Sequence, residues 1–169
     1  MDLTTLFLEQ LERESRGSRR ALESVPTDRP DWKPHDRSMA LGYLTTLVAT
    51  MPSWLEMTVE QDFLDLAPPE GSGYQPPGWS TTAELLAVHE QAVAGARRAL
   101  TATGEAHLAT SWQLRVGGQV VMEQPRYVVL GDTFCHLAHH RGQLTVYMRL
   151  LGAPVPAIYG PSADDNSFG

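Results

Sequence analysis

The chain has a single cysteine, Cys135, in 169 residues, which excludes an intramolecular disulfide framework. Nowhere does an unbroken apolar run approach the roughly 20 residues that a membrane-spanning helix needs. The start, Met1-Asp2-Leu3-Thr4-Thr5, lacks a basic stretch leading into an apolar one, so no secretory signal is expected and the cytoplasm is the expected compartment. Positive charge is scarce as well: 13 Lys and Arg stand against 20 Asp and Glu, a formal net charge of −7. The only paired arginines, Arg19-Arg20 and Arg97-Arg98, fall in helical patterns with glutamates nearby. A protein that grips nucleic acid gathers its cations on one face to replace phosphate counterions, and this chain does not. Internal repeats and low-complexity tracts are also missing.

What remains is ordinary globular material. The hydrophobic fraction of 42% is enough for a core, and the length suits one domain over residues 1–169. Leu3, Phe7, Leu11, Ser18, Leu22 and Val25 recur at helical steps, with Asp2 placed to cap the start and Pro26 the end. Residues 26–36 hold three prolines and read as a loop. A second stripe runs through Met39, Leu41, Leu44, Leu47, Val48, Met51, Leu55 and Val59. Pro52 lies inside it, removes a hydrogen bond to Val48 and predicts a kink. Residues 67–79 are too rich in Pro and Gly for regular structure. Thr81 with Glu84 forms a capping-box pattern opening a third helix through Leu85, Val88, Ala92, Ala96 and Leu100. Alternation on either side of Gly117-Gly118, between Trp112 and Met122, predicts a small β-hairpin. A fourth helix is expected from about Arg126 to Leu151, stopped by Gly152 and Pro154. The expected fold is therefore all-α, a four-helix bundle with a small hairpin between helices three and four.

The chemistry concentrates in the last helix, Asp132-Thr-Phe-Cys-His-Leu-Ala-His-His-Arg-Gly-Gln143. At about 100° per residue, Leu130, Phe134, Leu137, Leu144 and Met148 form its apolar centre. His136 and His140 share a line along one edge with Val129, Thr133 and Tyr147, while Cys135 and His139 lie on the far side. Two histidines four apart on one helical face can place both imidazoles on one divalent ion. They can equally border the core and hydrogen-bond to neighbours. A zinc-protease motif is excluded, because Leu137 stands where the glutamate of that motif belongs. Arg141 falls in the apolar stripe, and a guanidinium there needs a partner; Asp164 or Asp165 is the expected one. Cys135, turned away from the His edge, is not expected to be a nucleophile.

The run His136-Leu-Ala-His-His-Arg-Gly-Gln143 resembles the last-helix signature of the DinB-like family. The likeness continues through Leu144-Thr-Val-Tyr147, Leu150-Leu151-Gly152 and Ile158-Tyr-Gly-Pro-Ser-Ala-Asp164. Upstream, Trp32-Lys-Pro34, Leu41-Gly42, Leu44 and Met51-Pro-Ser-Trp54 resemble the family's first loop and second helix. The resemblance implies a four-helix bundle, often a homodimer, with Zn²⁺ or Ni²⁺ held by three histidines. Two of these match His136 and His140. The third is expected on the second helix, where this chain has Leu47, and no histidine lies between His35 and His89. Glu56 or Asp132 is then the candidate to complete the ligand set, with His35 and His89 more remote. Relatives imply a thiol-dependent S-transferase using a low-molecular-weight thiol, whose pKa the metal lowers; a hydrolase is the variant. Tyr147 would orient substrate. The alternative is a non-catalytic, metal-free bundle acting as a scaffold or binding a small molecule in a pocket of Leu47, Met51, Trp54 and Tyr147.

Overall fold

A computed structural model describes residues 2–68, 71 and 77–167. Helix α1 spans Leu3–Glu23. Its exposed first-turn amides are met by Asp2, whose carboxylate accepts from the Thr5 amide at 2.7 Å and the Thr4 hydroxyl at 2.6 Å. The following loop is tied to the next helix by two backbone bonds, Leu41 N to the Trp32 carbonyl and Gly42 N to the Pro30 carbonyl. Helices α2 (Leu41–Thr50) and α3 (Pro52–Glu60) form the second stripe. Pro52 has no amide proton to offer Val48, so the ladder breaks there, and the proline becomes the first residue of α3, where no such bond is needed.

Strand β1 (Phe63–Asp65) follows, then α4 (Thr82–Ala102), opened by the Thr81–Glu84 capping box. The short helix α5 covers Glu105–Leu108. Strands β2 (Ser111–Val116) and β3 (Gln119–Pro125) pair antiparallel about Gly117 and Gly118, whose φ angles of 59° and 80° suit a tight primed turn. Helix α6 runs from Arg126 to Leu150 and stops at Gly152, φ 74°, with the Ala153 amide returning to the Met148 carbonyl.

The protein is mostly helical with a small sheet, and three details differ from the sequence reading. Six helices are present among the described residues instead of four, because Pro52 divides the second stripe and α5 adds a single turn. The sheet has three strands, since β1 joins β2 in parallel. Asp65 explains why: its carboxylate accepts from the amides of Gly117 and Gly118 at 2.9 and 2.6 Å, pinning β1 to the turn. The Pro- and Gly-rich segment 67–79 lies largely outside the described residues.

The third difference concerns Arg141. It is fully buried, yet its partner is neither Asp164 nor Asp165 but Glu14 of α1, at 2.6 Å. The guanidinium also donates to the Glu14 carbonyl at 2.9 Å, to the Ser18 hydroxyl at 3.1 Å and to the Tyr159 hydroxyl. Gly17 makes room for it: a Cβ there would sit 3.2 Å from the guanidinium and from Ile158. The two aspartates serve the tail instead. Asp164 pairs with Arg149 and accepts from Val155, while Asp165 pairs with Arg20 and accepts from Ala157.

Apolar side chains form two clusters. One contains Leu22, Leu41, Leu44, Met51, Leu85 and Leu144; the other contains Phe7, Leu11, Leu55, Val93, Leu130 and Phe134. Glu14, Ser15 and Ser18 fall between the clusters along α1, as His89 does along α4. His89 is 2% exposed, with Nδ1 3.2 Å from the Ala49 carbonyl and Nε2 3.2 Å from the Ser15 carbonyl. It thus joins α1, α2 and α4 through one ring. Ala49 belongs to the turn that Pro52 interrupts, where backbone carbonyls need other donors.

Candidate functional site

Helix α6 turns Leu137, Arg141, Leu144 and Met148 into the molecule, which fixes where its histidines point. His140 is buried at the border of the core, while His136, one turn earlier, is exposed. Their Nε2 atoms lie 2.8 Å apart and their ring centroids 4.6 Å apart. At that separation the pair shares one proton in a hydrogen bond, or both lone pairs face a common cation. His140 Nδ1 is 2.8 Å from Oε1 of Gln143, three residues on. Trp54 of α3 meets His136 edge-on at 5.4 Å, forming a wall beside the exposed ring. His139 lies on the outer side, its ring 5.0 Å from that of His140.

The electrostatics favour neutral imidazole. Partial burial depresses the pKa of His136 below the usual value of 6.5, and the neighbouring rings of His140 and His139 add to the effect when charged. A neutral ring offers a lone pair for a metal, a proton or a hydrogen-bond donor.

The other expected site residues scatter. Glu56 turns toward α4, where its carboxylate lies against Gly95 and pairs with Arg98 at 3.2 Å. Asp132 is exposed one turn before His136 and joins no cluster of three metal-binding side chains; among the described residues no such cluster exists. His35 is exposed in the first loop, its Nδ1 accepting from the Arg37 amide. His89 is committed to two carbonyls. Leu47 is half-buried against the apolar cluster that includes Leu137, Leu144 and Tyr147. Of the four expected pocket residues, Trp54 meets the His pair, at the His136 ring. Met51 is fully buried, and Tyr147 is covered by Trp32 at 5.5 Å, with its hydroxyl donating to the Met39 carbonyl at 3.3 Å. Two surface clefts lie elsewhere. One of about 280 Å³ includes Val59, Thr103 and His107; the other, about 210 Å³, includes Arg16, Arg19, His89 and Arg97.

The donors can be tested against the metal that the resemblance implies. A catalytic zinc normally takes three protein ligands and keeps one open position. Here two imidazole nitrogens converge, Leu47 offers no lone pair, and the Glu56 carboxylate is held by Arg98. The donor set does not fit a resident metal with three protein ligands.

Gln143 and Glu14 are the participants that sequence reasoning left without a role. Gln143 was visible in principle, since a residue three positions after a helical histidine shares its face. Glu14 was hidden, because a glutamate in a helical stripe reads as surface until the opposing arginine is known.

Comparison with known proteins gives a consistent picture of kinship. The family model described as the DinB family matches residues 1–167. A DinB-like protein from Bacillus cereus ATCC 10987 superposes with a TM-score of 0.68 at 20% identity, covering 90% of this chain and 95% of its own. The DinB-like protein YjoA of Bacillus subtilis gives 0.66 at 16% identity, covering 87% and 92%. At these identities the likeness speaks for the fold. The uncharacterized protein YrdA of Bacillus subtilis (strain 168) is 57% identical over 30 residues, a match that spans 18% of each chain.

Proposed function

This chain belongs to the DinB family, and from that premise we propose that it binds a small molecule at the His136–His140 edge of α6, with the imidazole pair working in place of a resident metal. The observation that carries this reading is the 2.8 Å contact between the two Nε2 atoms, with no cluster of three metal-binding side chains among the described residues. One ring can hold the shared proton while the other ring's lone pair receives it. The exposed ring of His136 then meets the ligand beside the Trp54 wall. A low-molecular-weight thiol suits such an edge, because a neutral imidazole accepts an S–H proton and an indole packs against a polarisable sulfur. We include in the proposal a homodimer in the cytoplasm. Exposed Val146 and Leu150 on the outer side of α6 support an interface between copies. Among the described residues no helix is long and apolar enough to cross a membrane.

The test pairs metal content of protein purified without an affinity tag with a low-molecular-weight thiol titration followed by tryptophan fluorescence, the Trp54 share identified with a Trp54→Phe variant. Substoichiometric metal, unchanged in a His136→Ala/His140→Ala variant, and saturable thiol binding lost in that variant are expected. Stoichiometric Zn²⁺ or Ni²⁺ that disappears in the variant would overturn the proposal.

That outcome would establish the second reading, a metal-dependent S-transferase or hydrolase. One observation favours it: the two Nε2 atoms converge at 2.8 Å, and a widening of about 0.5 Å would bring them to the separation of two nitrogens on a tetrahedral zinc. The missing donor would then come from the ligand itself.

A further inference from the structure

The His pair leaves one question of direction open. A neutral imidazole has one N–H and one lone pair, so a chain of two rings can run either way. If Nδ1 of His140 carries the hydrogen, its Nε2 is an acceptor, His136 donates from Nε2, and Nδ1 of His136 is bare. If Nε2 of His140 carries it, every role inverts.

The neighbouring amide decides between them. The atom of Gln143 facing His140 is the carbonyl oxygen Oε1, 2.8 Å from Nδ1. A carbonyl oxygen only accepts, so Nδ1 of His140 must donate. The Nε2 of the same ring, 2.8 Å from Nε2 of His136, is therefore the lone pair. His136 supplies the hydrogen between the rings. Its remaining nitrogen, Nδ1, belongs to the exposed ring and has no protein partner recorded among the described residues.

We propose that Gln143 is a positioning residue: by accepting the Nδ1 hydrogen of His140 it directs that ring's Nε2 lone pair at His136, and so leaves Nδ1 of His136 as the atom that accepts a ligand's S–H, O–H or N–H hydrogen. The proposal rests on the His edge being the functional site. It adds which atom meets the ligand and which class of ligand group is met, a hydrogen-bond donor. The same contact would also aim the His140 lone pair at a metal, since ligating histidines usually donate their other nitrogen to an oxygen. The contact of Gln143 with His140 is thus common to both readings, whereas the bare Nδ1 of His136 belongs to the metal-free one.

The experiment is ¹⁵N-detected tautomer assignment of the imidazoles at about pH 8.5, well above the ordinary histidine pKa of about 6.5. Wild-type protein should show hydrogen on Nδ1 of His140 and on Nε2 of His136. In Gln143→Leu, which removes the acceptor, the His140 hydrogen should move to Nε2. In Gln143→Glu, which keeps an acceptor, it should stay on Nδ1. A residue that merely packs would not move these signals, and Gln143 is only half-buried, so both variants should fold. Hydrogen on Nε2 of His140 in the wild type, or an unchanged His140 tautomer in Gln143→Leu, would overturn the proposal. The readout is taken on metal-free protein and does not use thiol binding; in protein as purified, hydrogen on Nδ1 of both rings would instead mark a cation between the two Nε2 atoms and count against the proposed function.

Discussion

Removing the carboxylate of Glu14 should damage this protein more than removing almost any other charge. Arg141 and Glu14 form an ion pair at 2.6 Å, with side-chain exposures of 2% and 7%. Glu14→Ala would leave the guanidinium in the interior with three neutral acceptors: the residue 14 carbonyl, the Ser18 hydroxyl and the Tyr159 hydroxyl. Breaking one side of a buried pair costs about 3–5 kcal/mol, because the surviving charge stays desolvated without its counter-charge. A domain of this size has roughly 5–15 kcal/mol of stability in total, so the loss should be visible as a large fall in denaturation midpoint. Two comparisons isolate the cause. Arg149→Ala breaks an equally short pair with Asp164, but one whose side chains are 49% and 31% exposed, and should cost about 1 kcal/mol or less. Glu14→Leu combined with Arg141→Met removes both charges and should recover most of the loss, since apolar replacement of a whole buried pair is often neutral or better. Urea unfolding followed by circular dichroism gives all four values. If Glu14→Ala costs no more than Arg149→Ala, the buried-pair argument is wrong.

Three further outcomes are expected. Burial holds the pKa of His89 below 6.5 in the folded protein, against the opposing pull of the Ala49 and Ser15 carbonyls. The unfolded state therefore binds the extra proton first: the stability contribution is complete above the unfolded value of about 6.5 and is lost as pH falls toward the folded pKa. Unfolding free energy measured across that range should drop on the acid side, and a His89→Gln variant should show a flatter profile. Leu47→His adds an imidazole at the α2 position where the family resemblance expects a ligand, so this variant should retain zinc through dialysis against a chelator that strips the parent; equal retention would refute the assignment of Leu47. Gly118→Val forces a β-branched residue to a φ of 80° and should cost about 1–2 kcal/mol in urea unfolding, whereas the same substitution at Gly104, φ −142°, should cost clearly less.

Much of this architecture was readable because local rules dominate it. Asp2, the Thr81–Glu84 box, Pro52 and Gly152 act within one or two turns of chain, and each sits where its pattern placed it. The outward placement of Cys135 and His139 was likewise legible from helical geometry. The errors came from long-range partners. Arg141 plainly needed a carboxylate, but Glu14 lies 127 residues away, and periodicity alone cannot say which glutamate of α1 faces inward. The tail aspartates were the expected partners, yet the backbone amides of Val155 and Ala157 claim them along with Arg149 and Arg20. Strand β1 was missed because three residues carry too little alternation to register, and its reason for existing is a carboxylate bonding to a turn 52 and 53 residues on.

The buried pair and the candidate site are connected through the rotation of α6. Arg141 must face α1 to reach Glu14, and at about 100° per residue that single constraint sets every other azimuth on the helix. His140, one step back, falls at the border of the core, where it is buried on one side and open toward His136 on the other. Gln143, two steps on from Arg141, comes round to the same border and reaches Nδ1 of His140. Val146 and Leu150 go outward with His139. An apolar residue at 141 would also pack inward, but a Leu or Met tolerates a turn of tens of degrees that a guanidinium with four fixed acceptors does not. A buried pair often adds little net stability over a hydrophobic replacement, and the contribution expected of this one is angular definition. The doubly apolar variant should therefore fold with nearly unchanged stability yet broaden the His136 and His140 resonances, as α6 samples more than one rotation. Sharp, unshifted imidazole signals in that variant would show that packing by Leu137, Leu144 and Met148 sets the angle alone.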